Sequence, residues 1–207
     1  MPGRVEKIFH NDDLNSNGIY AVDLYALGVP HTVIIDDFLP LEEGNNGSFR
    51  TMFTEVSEDS ALWAPLLEKA FAKYHGNYLH IEAGNPKIGA RTLHGGPFEE
   101  HDHKDVDADY IWNRLKEHDG SNDILQAGTS GGNDTETSAN GIVLGHAYTI
   151  LGVVELSAGP RLVKLRNPWG SEKWRGRWSD SSDLWNATPN AKTEANFTEA
   201  DDGIIHL

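Results

Sequence analysis

The sequence predicts an α+β protein, mixed in its first half and mostly β with one helix in its second. Three features point to this class. Residues 19–38, IYAVDLYALGVPHTVIIDDF, alternate and then run apolar with β-branched side chains, as paired strands do. Residues 58–74 and about 106–118 repeat their apolar positions at the helical period. Residues 141–156, GIVLGHAYTILGVVEL, form one long apolar run, and a second, PRLVKLRNP, follows at once.

Each element has a local reason. The first pair of strands is joined at Gly28 and Pro30, a hairpin-like connection, and DDFLPLEEGNNGS is a turn-rich exit. In EDSALWAPLLEKAFAKY, residues Leu62, Trp63, Leu66, Leu67, Ala70 and Phe71 make one apolar helix face. Ser60 is the expected N-cap, Gly76 the expected stop, and Pro65 falls near the first turn, where a missing N–H costs least. Residues 76–100 carry seven Gly or Pro residues and no clear period, so they read as loop. The second helix buries Ile111, Leu115 and Trp112. NDILQAGT is a short strand, and residues 128–141 are a flexible polar insertion. The run at 141–156 is a long strand paired with 160–168 through a turn at SAGP, and DDGIIHL starts a further strand.

The 207 residues suffice for one large domain or two small ones. A net charge of −15 and a pI near 4.9 argue against nucleic acid and anionic membrane as partners. Solubility is the plain meaning of that charge, and calcium binding the sharper one. No apolar run approaches the roughly 18 residues of a membrane span. The opening residues lack an apolar signal-peptide core, so a cytoplasmic chain is expected. Sequons at Asn46, Asn133, Asn186 and Asn196 then read as chance. There is no cysteine, which excludes disulfides and zinc–thiolate sites.

His146 lies in the apolar run between Gly145 and Ala147, whose small size leaves room beside the ring. Alone it reads as a core histidine, and Asn167, ahead of Pro168, as a turn residue. Together they suggest more. An imidazole that serves a thiolate needs a third group to hold its orientation and tautomer, and an Asn carbonyl can accept from the other ring nitrogen. Paired strands would bring the two residues to facing positions, and Trp169 would cover the bond and exclude water.

GHAYTILG followed by LRNPWGSEKWRGRWSDSSDLWN resembles the calpain family of cysteine peptidases, whose signature is GHAY, then RNPWG, then W-x-G-x-W-S-D. VIIDDFLP and LWAPLLEKAFAKYHGNY resemble the family's V-D-D-x-L-P and L-L-E-K-A-Y-A-K stretches. The resemblance implies a papain-like cysteine proteinase fold, present in part. Residues 1–98 would be the rear of the helical, Cys-bearing subdomain, and 99–207 the antiparallel β-rich His/Asn subdomain, truncated at its end. It also implies an intracellular thiol protease, a hydrolase of peptide bonds in proteins. His146 matches the family's catalytic His, Asn167 its catalytic Asn, and Trp169 the tryptophan beside the cleft that moves aside when the core closes. The nucleophile belongs to a Q-G-x-L-G-D-C-W type motif that precedes V-D-D-x-L-P, so the expected partner is an upstream Cys-bearing segment. Without it this chain is inactive. The alternative is a non-catalytic calpain-like scaffold or interaction module in a larger assembly.

The chemistry implied needs no cofactor, but the family's core binds calcium through carboxylates and carbonyls. Here Leu79, Lys173 and Ile204 stand at usual ligand positions, while Asp180 and Asp202 remain as weak calcium candidates. An ammonium repels the ion and cannot ligate it. Weak or absent calcium binding is expected, with Glu172 able to rescue one site. Three lesser patterns read as structure. Residues 13–24 carry Asp13, Asn15, Asn17 and Gly18 of an EF-hand start but end on Leu24, where a bidentate Glu is required. The HDH run at 101–103, among Glu99, Glu100 and Asp105, lacks a third zinc partner. Trp174, Trp178 and Trp185 read as β-subdomain packing, and Gly95–Gly96 as a stretch that lets a peptide backbone approach.

Overall fold

The computed structural model describes residues 7–11, 13–57, 60–171 and 173–207. The chain is mixed α and β with antiparallel sheets. It divides into two compact units, residues 1–99 and 100–207, each with its own core.

In the first unit β1 (Ile19–Ala26) pairs antiparallel with β2 (Val29–Asp36). The link is two residues, Leu27 and Gly28, both with positive φ, which suits the twist of a tight hairpin. Pro30 is inside β2 opposite Tyr25, not in the turn. Ala26 and Val29 flank the turn, so the next pair exchanges no ladder bonds and a missing N–H costs nothing there. Tyr20, Val22 and Leu24 point to one face and are buried, each contributing about 1.5–3 kcal/mol on transfer from water. Leu24 inside this strand removes the EF-hand reading of residues 13–24.

That face packs on α1 (Trp63–His75) through Leu66 and Ala70. The helix starts two residues later than a Ser60 cap would place it, and Ser60, with positive φ, does not cap it. Pro65 explains the shift. In a helix capped by Ser60 its ring would strike the carbonyl of Ala61, whereas starting at Trp63 puts it where no N–H bond is due. Trp63 of the expected apolar face stays exposed, and Gly76 ends the helix as expected. The Glu58 and Asp59 end of the expected helix lies outside the described residues. A small hairpin, β3 (Leu41–Glu43) with β4 (Phe49–Thr51), lies between β2 and α1, and a 3-10 turn over Tyr78–Ile81 follows α1.

Residues 76–100 are not all loop. Pro86–His94 form α2, with Asn85 accepting from the Lys87 N–H at 3.0 Å, Pro86 in the first turn and Gly95 left-handed at the end. Asn-Pro before and Gly after are start and stop signals that outweigh the lack of a long period. A Cβ on Gly95 would collide with the Tyr25 ring, so this glycine serves helix termination and strand packing.

In the second unit α3 (Ala108–His118), capped by Asp107, buries Trp112, while Ile111 and Leu115 are half-buried. The sheet runs in the order β5 (Gln126–Gly128), β6 (Ala147–Glu155), β7 (Arg161–Arg166), β8 (Ile204–His206), all antiparallel. Both faces are covered. Leu162 joins Leu156, Trp178 and Trp185 on one side, and Leu165 joins Val143, Tyr148 and Ile205 on the other. Two helical turns, α4 (Leu184–Ala187) and α5 (Ala191–Glu194), complete the first of these cores. Trp178 and Trp185 are packing residues as read from the sequence.

The run at 141–156 is strand only from Ala147, so His146 precedes the strand. The polar stretch before it folds into a small hairpin. Thr137 bridges Val143, and the Leu144 N–H reaches the Glu136 carbonyl at 2.9 Å.

His206 is 2% exposed, edge-on to Trp185 and Phe197, and neither ring nitrogen has a hydrogen-bond partner among the described residues. Burial, with Lys164 adding repulsion, lowers its pKa to about 4, while the Ala195 backbone and the Asp202 carboxylate pull weakly the other way. The folded state therefore holds the neutral ring, and the unfolded state takes up the proton near pH 6.5. Stability is full above about pH 6.5 and falls as pH drops from there toward 4. Melting temperature measured across this window should show the decline, and His206→Phe should flatten it.

Candidate functional site

The site is built where β6 begins and β7 ends. A bulge between Ile150 and Gly152 shifts the β6–β7 register by one residue. Counted on from the last pair, Thr149 with Arg166, Asn167 stands across from Tyr148. Side chains alternate along a strand, so Asn167 shares a face with Tyr148 and, two residues earlier, His146. Without the bulge Asn167 would face Thr149 and the other side of the sheet.

The His146 ring Nε2 and Asn167 Oδ1 lie 3.0 Å apart. The direction of this bond follows from a second one. The Trp169 backbone N–H donates to the same Oδ1 at 3.1 Å, which fixes that atom as the oxygen. An oxygen can only accept, so Nε2 is the protonated nitrogen, and in the neutral ring the tautomer is the one that leaves the lone pair on Nδ1. Asn167 is 3% exposed, and its own N–H donates to the Gly203 carbonyl at 2.8 Å. Gly203 is left-handed, and a Cβ there would sit 2.8 Å from the Asn167 carbonyl oxygen. The acceptor is thus held at the side chain and at both of its backbone polar groups, since the Gly170 N–H reaches its carbonyl at 3.1 Å.

The ring is held as tightly. The His146 N–H donates to Thr129 Oγ1 at 2.9 Å, and the Thr129 N–H donates to the His146 carbonyl at 2.9 Å. The Thr129 hydroxyl donates to the Val143 carbonyl at 2.8 Å. Tyr148 meets the imidazole edge-on with centroids 5.0 Å apart, and its hydroxyl accepts the Val143 N–H at 3.0 Å. Burial pushes the Tyr148 phenol up, so it stays neutral. Trp169 lies against the imidazole at 4.5 Å and is 44% exposed. The structure therefore brings together His146, Asn167 and Trp169. Sequence reasoning missed Thr129 and Tyr148: Thr129 sits in a polar insertion with no period, and Tyr148 reads only as a core position.

The calcium candidates do not join this group. Asp180 accepts the Ala200 N–H at 3.0 Å, and Asp202 accepts the Ile204 N–H at 2.9 Å. Lys173 lies over the Trp169 ring, 5.4 Å from its centroid, Leu79 is exposed, and Ile204 lies in β8. Glu172 lies outside the described residues. Among the described residues no three His, Asp or Glu side chains are grouped to hold a metal, the HDH run at 101–103 included. No helix among them is long and apolar enough to cross a membrane.

A histidine tied to an asparagine carbonyl beside a tryptophan is a ring held in one orientation under an aromatic cover. The model of the family described as calpain family cysteine protease matches residues 2–207, and the chain belongs to that family of thiol proteases. It is similar to the calpain-type cysteine protease ADL1 of Oryza sativa subsp. japonica, 36% identical over 189 residues, or 88% of this chain and 8% of that protein. The calpain-type cysteine protease DEK1 of Arabidopsis thaliana is 37% identical over 189 residues, 88% of this chain and 9% of that protein. Calpain-12 of Mus musculus is 31% identical over 189 residues, covering 90% of this chain and 25% of that protein. The chain thus spans a quarter or less of these relatives.

Asn167→Ala should let the neutral ring populate both tautomers, where the wild type holds Nε2–H alone. Nitrogen-15 shifts of the labelled imidazole would read this, and a mixture already present in the wild type would refute the assignment. The two donors left without an acceptor should cost about 1–3 kcal/mol in urea unfolding.

Proposed function

We propose that this chain supplies the histidine and its orienting asparagine to a calpain-type cysteine endopeptidase with a papain-like core. Residues 1–98 would be the rear of the Cys-bearing subdomain and residues 99–207 the His/Asn subdomain. The observation that carries this reading is the His146–Asn167 hydrogen bond with its direction fixed by the Trp169 N–H. Nδ1 is the free base that a thiol requires. Since the chain has no cysteine, the thiol would come from an upstream segment of the parent protein.

In the working centre His146 Nδ1 would take the thiol proton. The thiolate sulfur would attack the peptide carbonyl carbon, and the imidazolium would return the proton to the leaving amine. In the second half His146 would take a proton from water as it attacks the thioester, releasing the acid and restoring the thiol. Asn167 would hold the ring through both halves, and Trp169 would keep water from the bond. The substrate would be a protein or peptide, and the setting cytoplasmic.

Calcium does not enter these steps. Asp180 and Asp202 each spend one oxygen on a backbone N–H, and Lys173 and Ile204 offer no donor. That set fits a doubly charged, oxygen-seeking ion poorly.

The test is thiol labelling of the full-length parent with an epoxide that alkylates papain-type cysteines. Labelling should occur equally with and without calcium and vanish in His146→Ala, with peptide turnover falling at least 10²-fold, roughly the general acid–base contribution. Labelling that needs calcium and is lost in Asp180→Asn would overturn the calcium part. No labelling of a demonstrably folded parent would leave a non-catalytic scaffold.

A further inference from the structure

We infer that Lys173 is a positioning residue that holds the Trp169 indole against the His146 ring by a cation–π contact; this rests on the reading of His146 as the base. Three rings and charges stand in sequence. Trp169 lies 4.5 Å from the imidazole, and the Lys173 ammonium lies 5.4 Å from the indole centroid. A cation within about 6 Å of an indole is attracted to it by the ring quadrupole, and tryptophan is the strongest such partner. Trp169 is 44% exposed, so the core does not enclose it and something else must bias where it sits.

The backbone beneath Lys173 is built to aim it. Gly141 has φ +89°, and a Cβ there would overlap the Lys173 carbonyl, so only glycine lets this turn close on residue 173. The Arg175 N–H donates to the Asn140 carbonyl at 2.8 Å. Trp174 folds over Gly176, where a side chain would collide with its ring, and donates Nε1–H to the Arg177 carbonyl at 3.0 Å. The 173–177 loop is therefore tied to the Asn140 turn through Arg175 and braced within itself by the Trp174–Arg177 bond. Trp169 is anchored too, because its N–H is committed to Asn167 Oδ1. With Trp169 and the 173–177 loop each tied through a backbone bond, the ammonium on the indole face selects among the side-chain arrangements of the indole. Lys173 then acts as a resident cation beside the histidine's cover.

The test reads the ring, not the reaction. The 207-residue chain, labelled in its histidine rings, gives a His146 Cε1–H resonance displaced by the Trp169 ring current; Trp169→Ala defines complete loss. Lys173→Met should shift the resonance measurably toward the Trp169→Ala position, as the ratio of stacked to unstacked indole falls about two- to fivefold. Lys173→Arg keeps the cation and should restore the wild-type position, and Lys173→Glu should move it further than Lys173→Met. A resonance unchanged in both Lys173→Met and Lys173→Glu overturns the inference, as does a loss in Lys173→Arg equal to that in Lys173→Met. This readout needs no thiol, so it fails or succeeds apart from epoxide labelling. Gly141→Ala is the second route to the same point: left-handed strain and overlap should lower its urea unfolding midpoint. In the fraction still folded it should move the His146 resonance the same way, and an unmoved resonance there counts against Lys173.

Discussion

The antiparallel pairing of β6 with β7, with its one-residue bulge, is the constraint on which the site depends. His146 and Asn167 are 21 residues apart in the chain, and only the hairpin brings them within bonding distance. The bulge then decides which face Asn167 occupies. Strand side chains alternate, so one inserted residue is the difference between an oxygen aimed at the imidazole and one aimed at the far side of the sheet. Leu162 on one face and Leu165 on the other hold that register through two separate apolar cores, because a one-residue slip would turn each away from the core it packs in.

Around this frame the polar groups are satisfied by the backbone rather than by charge. Asn167, Thr129 and Tyr148 each bond main-chain groups on the segments that carry the ring. Such bonds are short-range and unscreened by salt, and each removes one freedom from the imidazole. Among the described residues no ionised side chain is hydrogen-bonded to the His146–Asn167 pair. The ring is thus held by main-chain groups, and the exposed tryptophan beside it is the part left to side-chain forces.

Much of the architecture was legible before any coordinates. The first hairpin, α1, α3, the β6–β7 pair and the start of β8 follow from period, β-branching and turn chemistry. Where the reading failed, a local competitor had won. Pro65 moved the start of α1 past Ser60, because a ring inside the helix costs more than a missing cap. Asn85–Pro86 and Gly95 framed a helix in a stretch too rich in glycine to show a period. The insertion at 128–141 became a hairpin through left-handed glycines, a property of φ that composition does not display.

By itself the sequence determined the secondary-structure classes, the family signature, the absence of a thiol and the identity of His146, Asn167 and Trp169 as the residues to watch. These are written in residue type and spacing, which local propensity and motif chemistry can read. Only the tertiary structure decided the tautomer of His146, the support from Thr129 and Tyr148, and the contact between Lys173 and Trp169. Each of those depends on register, on a bulge and on the close approach of Gly141 and Gly203, and such approaches exist only once distant segments have packed.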